Sequence, residues 1–238
     1  MQDASFSAEE VARFDALAGR WWDPSGPMRA LHRMNPARIG WIDERIARRF
    51  PDPAGLRVLD LGCGAGLAAE ALARRGYTVL GLDAAGEAIE AGRAHAADSG
   101  LRLDYRAGAA EDLVAEGRRF PVVTALEVIE HVPDPQGFVT LLSQLLEPGG
   151  LLFLSTMSRT PQSFVAAKVA AEYVLRWLPV GTHDWRKFVT PTELARMVRA
   201  AGLRVTDVAG ITPDLMRGGW KTVRDLSVNY LAVAEAER

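Results

Sequence analysis

The 238-residue sequence predicts an α/β fold built on a doubly wound, mostly parallel β-sheet. Two observations carry this prediction. Short apolar runs alternate with helix-length segments through the middle of the chain, as expected when crossover helices connect parallel strands. The runs RVLDL and LLFL are apolar at nearly every position, which is typical of strands buried on both faces of the sheet. A chain of this length with 48% hydrophobic residues fits one such domain.

Two helices are predicted before the sheet begins, and residues 1–50 are expected to form a helical cap. Ser7 should be the N-cap of the first helix, with Glu10 as its capping-box partner three positions later. A Pro/Gly-rich turn follows, and the second helix is expected from about Pro36 to Phe50.

The donor-binding core is expected at residues 51–157, with glycines ending the helices between its strands. The predicted strands are 57–62, 77–83, 101–108, 120–128 and 151–157. Residues 158–190 form a predicted insertion after the fifth strand. Residues 191–238 should contribute a C-terminal helix and two closing strands, so that 1–238 forms one domain.

Composition argues against several classes of protein. The net charge of −2 gives no reason to expect a nucleic-acid partner. The single cysteine, Cys63, excludes an intrachain disulfide and fits a reducing compartment. The N-terminus lacks the basic start and apolar run of a secretory signal, and no apolar stretch approaches the roughly 20 residues that span a bilayer. We therefore expect a cytoplasmic protein, with contact at the inner face of the membrane left open.

The strongest local signal is a glycine-rich loop between the first predicted strand and the helix after it. Asp60 precedes Gly62, Gly64 and Gly66, and Asp83 ends the second strand 21 residues after Gly62. Glycine permits a tight turn and lets the backbone approach a ligand closely. A carboxylate at this distance is typical of one that binds both hydroxyls of an adenosine ribose.

The spacing within this loop separates the classes of nucleotide site. A dinucleotide site would favour a third glycine at position 67, where the chain has Leu67, and the Gly-Lys-Ser/Thr of a P-loop is absent. The G-x-G-x-G loop after Asp60 resembles the first motif of the Rossmann-like class I methyltransferases. Their donor, S-adenosylmethionine, carries a sulfonium and an ammonium group, so a nearby carboxylate suits it.

Three further residues fit a donor pocket of this class. Ala110 and Glu111 follow the third strand, where the class holds adenine through backbone groups and an acidic residue. Leu126 follows Thr124 and Ala125 in the fourth strand and could cover the ligand beside the sulfonium. Core packing of Leu126 is a compatible alternative.

An acid–acid–histidine turn (Glu127, Glu130 and His131) comes next, at the end of the sheet where open α/β folds bind ligands. If this segment is helical, its three side chains share one face. His131 could then act as a general base toward a phenol. Alternatively, the three could hold Mg, Mn or Zn, which would polarise the acceptor oxygen. A solvated first turn of a helix is the third interpretation.

The segments RWWD, LHRMNPAR, EHVPDP and GTHDW are more specific than the glycine loop. Through them the chain resembles the ubiquinone-biosynthesis O-methyltransferase family over nearly its whole length. The resemblance implies S-adenosylmethionine-dependent O-methylation of polyprenylated catechol or phenol intermediates. The alternatives are an O-methyltransferase of another phenol or carboxylate, and a nucleotide-binding domain without catalysis.

The resemblance also assigns residues by position. Arg38 of the NPAR run would bind the donor, most plausibly through the donor's carboxylate. Gly62, Asp83 and Leu126 would line the donor site. A divalent-cation requirement would fall on the acid–acid–histidine turn.

The partners follow from the same resemblance and from the segment 162–178. There Lys168, Glu172 and Arg176 form one polar stripe at steps of four residues, and apolar side chains cover much of the remainder. Such a helix could cover the acceptor site, lie in a membrane interface beside a polyprenyl substrate, or simply pack on the core. Association with other quinone-biosynthesis enzymes is a further expectation.

Overall fold

The computed structural model describes residues 6–165, 184–214, 216 and 218–236. Within these ranges the strands are β1 (Arg57–Leu61), β2 (Thr78–Asp83), β3 (Asp104–Ala107), β4 (Phe120–Leu126), β5 (Leu146–Met157), β6 (Leu203–Pro213), β7 (Trp220–Val223) and β8 (Asn229–Ala236). The α-helices are α1 (Ala8–Asp15), α2 (Arg29–Arg49), α3 (Leu67–Ala73), α4 (Gly86–Asp98), α5 (Ala110–Ala115), α6 (Pro135–Gln144), α7 (Pro161–Ser163) and α8 (Pro191–Ala200). Short 3-10 turns lie at Ala18–Arg20 and Trp185–Lys187.

The strands form one sheet in the order β3-β2-β1-β4-β5-β8-β6-β7. The first five pair in parallel, and β8 joins β5 and β6 by antiparallel pairing. The predicted doubly wound, mostly parallel sheet is confirmed. The chain leaves β1 toward β2 and returns to β4 on the other side, so the carboxyl ends of β1 and β4 border the crevice typical of ligand sites in such sheets.

Both faces of the sheet are covered. One core cluster joins Leu59 and Val123 to side chains of α5, α6 and α8. The other joins Val58 and Val122 to side chains of α2, α3 and α4. Neighbouring residues of a strand point to opposite faces, so the uninterrupted apolar runs supply both clusters.

Helix α2 is part of this core. It begins at Arg29 and continues through Pro36, seven residues earlier than the predicted start. Ile39, Ile42 and Ile46 are fully buried against the sheet. Their burial helps keep α2 continuous where the proline removes one backbone hydrogen bond.

Helix α5 and strand β7 are not predicted from the sequence, because neither carries a periodic pattern. Helix α5 has only six residues, and β7 is a four-residue edge strand without a fully buried residue. Of the predicted insertion, residues 166–183 lie outside the described residues, and with them most of the segment 162–178. In the described ranges, no helix is long and apolar enough to cross a membrane.

Candidate active site

The glycine loop joins β1 to α3 and is enclosed from two sides. Gly62 and Gly64 have φ angles of 70° and 53°, in the left-handed region that favours glycine. A Cβ on Gly62 would lie 2.4 Å from Cγ2 of Val128, and one on Gly64 would lie 2.1 Å from Cζ2 of Trp21. The loop therefore fits between the turn after β4 and the N-terminal segment only as glycine.

Asp83, at the end of β2, is hydrogen-bonded to this loop. Its Oδ2 accepts a hydrogen bond from the Gly64 N–H at 2.7 Å, and its Oδ1 accepts one from the Ala85 N–H at 2.8 Å. Burial raises the pKa of Asp83, and these two N–H groups oppose the shift. Because each carboxylate oxygen has a second lone pair, the carboxylate can still accept ribose hydroxyls.

Arg38 and Asp60 place two oppositely charged side chains inside the protein near the crevice. They are only 3% and 2% exposed. Oδ1 of Asp60 accepts a hydrogen bond from Thr124 Oγ1 at 2.6 Å, and Arg38 Nη2 donates one to Oδ1 of Asn35 at 3.0 Å. Among the described residues, Arg38 Nε and Asp60 Oδ2 have no hydrogen-bond partner. Each charged group thus retains a buried atom suited to a polar ligand.

The pKa values of this pair reflect its burial. Burial raises the pKa of Asp60 to about 6, although the Thr124 hydroxyl and the Arg38 charge both oppose the shift. Burial also lowers the pKa of Arg38, while the negative charges of Glu127 and Asp60 act in the opposite direction. Bound groups of opposite charge would offset the free-energy cost of burying these two charges.

The backbone turns sharply at Glu127, directly after β4. Its φ of 58° is unusual for a residue with a side chain and costs about 1–2 kcal/mol. The Glu127 N–H donates to the Ser155 carbonyl at 3.0 Å, and the Ser155 hydroxyl donates to Glu127 Oε1 at 2.6 Å. Asn229 Nδ2 donates to Oε2 at 3.2 Å. These contacts with β5 and β8 hold the carboxylate in place.

Glu130 and His131 have different neighbours. Glu130 is 4% exposed and accepts a hydrogen bond from Thr156 Oγ1 at 2.9 Å. Burial, assisted by the charge of Glu127, raises the pKa of Glu130 to about 8. His131 Nδ1 lies 3.1 Å from Oε2 of Glu10 on α1. Burial lowers the pKa of His131, and the Glu10 carboxylate opposes that shift.

The acid–acid–histidine turn is not the helical face that was predicted. Residues 127–131 form a bend and turn, and the positive φ of Glu127 breaks the spacing on which a shared face depends. Glu127, Glu130 and His131 bind Ser155, Thr156 and Glu10 instead. No three His, Cys, Asp or Glu side chains in the described ranges are grouped to hold a metal ion. Binding of Mg, Mn or Zn by these residues stays a prediction.

The other predicted donor-site residues lie at carboxyl ends of strands. Ala110 is buried and begins α5 just after β3, with half-buried Glu111 beside it. Leu126 is the last residue of β4 and packs in the core, as its alternative interpretation required. Ser155 and Asn229 were missed because their partner Glu127 is 28 and 102 residues away, respectively.

The buried carboxyl of Glu130 predicts a pH-dependent stability. Its folded-state pKa of about 8 lies above the ordinary value of 4.5, so its stabilising contribution is complete below pH 4.5 and is lost as the pH rises through 8. Glu130→Gln removes this titration and keeps an oxygen for Thr156. Its free energy of unfolding, measured by urea denaturation, should therefore rise relative to wild type between these pH values.

Glu87→Gln, at an exposed position of α4, controls for loss of a carboxylate. A difference between Glu130→Gln and wild type that stays constant over the whole range would contradict burial as the cause.

Comparison with known proteins agrees with this geometry. A methyltransferase-domain family matches residues 32–208. The ubiquinone biosynthesis O-methyltransferase of Methylobacterium sp. (strain 4-46) is 49% identical over 238 residues, covering 97% of this chain and 96% of the relative. The protein of the same name from Azorhizobium caulinodans is 47% identical over 240 residues, covering 98% and 95%.

Solved structures support the fold independently. The magnesium protoporphyrin IX methyltransferase from Synechocystis PCC 6803, with bound SAH, superimposes with a TM-score of 0.65. The alignment covers 96% of this chain and all of that one at 16% identity, so the likeness concerns the fold alone. With the fold, the glycine loop and near-full-length relatives in agreement, the chain belongs to the family of ubiquinone biosynthesis O-methyltransferases.

Proposed function

We propose that this protein transfers the methyl group of S-adenosylmethionine to a phenolic hydroxyl of a polyprenylated catechol or phenol in ubiquinone biosynthesis. The observation that carries the proposal is the buried pair of Arg38 and Asp60 beside the glycine loop, each with an unsatisfied polar atom. The name shared by the near-full-length relatives supports the acceptor class.

The pair fits the amino-acid end of the proposed donor. Arg38 would bind its carboxylate through Nε, and Asp60 would bind its ammonium group through Oδ2, both as charge-assisted hydrogen bonds. Glu127 lies close enough to Arg38 to help balance the buried positive charge. Asp83, Ala110 and Glu111 would bind the adenosine portion, and Leu126 would lie near the sulfonium. When bound, the donor supplies an already activated methyl group.

The remaining chemistry is deprotonation and alignment of the acceptor. His131 is the proposed general base: it accepts the proton of the acceptor hydroxyl while the oxygen–methyl bond forms and the sulfur–methyl bond breaks. The lowered pKa of His131 favours the neutral imidazole that this step needs. The hydrogen bonds that Glu127 accepts from Ser155 and Glu130 accepts from Thr156 support a role for both carboxylates in shaping the pocket. Alignment of the two reactants would supply much of the rate.

We also propose that residues 162–178 bring the protein to the membrane surface, where a polyprenyl tail resides. The described start of this segment supports the proposal, since Phe164 and Val165 are 41% and 57% exposed. Exposed apolar groups that precede Lys168 and Arg176 in the sequence suit an anionic lipid interface. If the protein does not sediment with vesicles of anionic phospholipid, this proposal is wrong.

The proposed donor contact predicts a selective loss of affinity in Arg38→Met. This variant should bind S-adenosylhomocysteine about 10- to 100-fold more weakly, the scale of a lost charge-assisted hydrogen bond. It should bind 5′-methylthioadenosine, which lacks the amino-acid end, as wild type does. Isothermal titration calorimetry measures both affinities.

Arg48→Met, at an exposed position of the same helix, is the matched control and should bind both ligands normally. Equal losses for both ligands in Arg38→Met would show that Arg38 supports the fold of the pocket and does not contact the amino-acid end.

A methyl-transfer assay with labelled donor tests the function as a whole. We expect methylation of a short-tailed prenyl catechol, with a kcat/KM well above that of the same catechol without its tail. Equal values would favour an O-methyltransferase of small phenols. Absence of transfer to phenols and carboxylates alike would favour a nucleotide-binding domain without catalysis.

A further inference from the structure

The asparagine of the NPAR run, Asn35, is a buried polar residue that helix formation does not explain. It lies inside α2, where asparagine is a weak helix former, and it is only 8% exposed. A buried side-chain amide destabilises the fold unless its polar atoms are hydrogen-bonded. The reason for an asparagine at this position must therefore lie in the contacts of its side chain.

The Asn35 amide joins two parts of the proposed donor site. Its Nδ2 donates a hydrogen bond to the Leu67 carbonyl at 2.7 Å, and its Oδ1 accepts one from Arg38 Nη2 at 3.0 Å. Leu67 is the first residue of α3 and directly follows Gly66, the last glycine of the loop. Both hydrogen bonds are buried. The amide thus connects Arg38 to the end of the glycine loop.

The chemistry of the two partners determines the orientation of the amide. A backbone carbonyl only accepts hydrogen bonds and a guanidinium only donates them, so Nδ2 must face Leu67 and Oδ1 must face Arg38. An ionised aspartate at this position would lack the donor for Leu67, and a leucine would bind neither partner. The position therefore suits a side chain that carries both a donor and an acceptor.

The contact with Asn35 also restricts where the Arg38 guanidinium points. This group is planar, so a hydrogen bond at Nη2 limits the rotation of the whole guanidinium. The charges of Glu127 and Asp60 act on Arg38, so it lies near the turn after β4 and the end of β1. Its Nε is buried and has no hydrogen-bond partner within the described ranges. Asn35 thus occupies one nitrogen of Arg38 and leaves Nε for a ligand.

We propose that Asn35 is a positioning residue for Arg38, holding the guanidinium at a fixed place relative to the glycine loop so that Nε meets the donor's carboxylate. The proposal rests on the proposed donor contact of Arg38. Asn35 itself touches no atom of the donor. Because the Arg38 side chain is already held in the free protein, less conformational entropy is lost when the donor binds.

Replacement of Asn35 tests the proposal with two ligands that differ at the amino-acid end. Asn35→Leu is similar in size but forms neither hydrogen bond. It should bind S-adenosylhomocysteine about tenfold more weakly, the scale of one lost hydrogen bond to a charged group, and 5′-methylthioadenosine within about twofold of wild type. Isothermal titration calorimetry measures both. Unchanged affinity for S-adenosylhomocysteine, or equal losses for both ligands, would overturn the positioning role.

Tyr77→Phe is the matched control, because it also removes a hydrogen bond that connects α2 to another part of the fold. The Tyr77 hydroxyl donates to Asp43 of α2 at 2.6 Å, and Tyr77 precedes β2 at the opposite end of that strand from Asp83. The control should bind both ligands as wild type does.

A second variant covers the case in which Asn35→Leu does not fold, as judged by circular dichroism. Asn35→Ser is smaller and polar, and its single hydroxyl cannot replace both polar atoms of the amide. It should show the same selective loss of affinity for S-adenosylhomocysteine. Wild-type affinity for both ligands in folded Asn35→Ser would contradict the proposal.

A spectroscopic readout separates orientation of Arg38 from general support of the fold. The Nε–H signal of Arg38 can be assigned in ¹H–¹⁵N spectra by its absence in Arg38→Met. In the free protein, this proton should exchange with water faster in Asn35→Leu than in wild type, because the guanidinium is no longer held. An unchanged exchange rate would show that Asn35 does not restrict Arg38.

The double variant distinguishes this proposal from the one on which it rests. If Asn35 acts through Arg38, Asn35→Leu should weaken binding of S-adenosylhomocysteine no further in an Arg38→Met background. A further tenfold loss there would overturn the positioning role alone. If Arg38→Met by itself binds S-adenosylhomocysteine like wild type, the proposed donor contact is wrong, and the positioning role is wrong with it.

Discussion

The arrangement of the site depends on one constraint, the burial of opposite charges beside the end of β1. Arg38 comes from α2, which the core holds firmly, and Asp60 comes from a strand buried on both faces. Charges removed from water are costly unless they are paired and hydrogen-bonded. Here Asp60 accepts a hydrogen bond from Thr124 and Arg38 donates one to Asn35, while Asp60 Oδ2 and Arg38 Nε are buried without a hydrogen-bond partner in the described ranges. The protein thus carries a desolvation cost at the place where a zwitterionic amino-acid group could offset it.

The N-terminal segment connects this charged pair to the rest of the site. It supplies Arg38 from within α2, the Trp21 ring over Gly64, and the Glu10 carboxylate beside His131. The sheet contributes the glycine loop, and its strand ends provide Asp83 and the turn at Glu127. Segments that are far apart in the sequence therefore meet around one crevice, as is usual for open α/β sheets. Donor binding and acceptor deprotonation would both depend on the N-terminal segment and on these strand ends.

Features encoded by local patterns could be predicted from the sequence. The parallel strands follow from apolar runs, and the glycine loop and Asp83 follow from their spacing. The acid–acid–histidine turn could not be predicted correctly, because a helical spacing was assumed where Glu127 adopts a positive φ fixed by Ser155. The contact between Glu10 and His131 joins residues 121 positions apart, and no local pattern indicates it. Tertiary contacts, which propensity and periodicity do not encode, determine such features.

The proposed donor site requires that the buried Asp60 carboxylate binds the positively charged ammonium group of the donor. The most direct test is the pKa of Asp60, measured from its ¹³C carboxyl resonance with and without S-adenosylhomocysteine. We expect a pKa of about 6 in the free protein, raised by burial, and a clearly lower value in the complex, because a bound ammonium group favours the ionised carboxylate. A pKa that stays the same or rises on binding would contradict it.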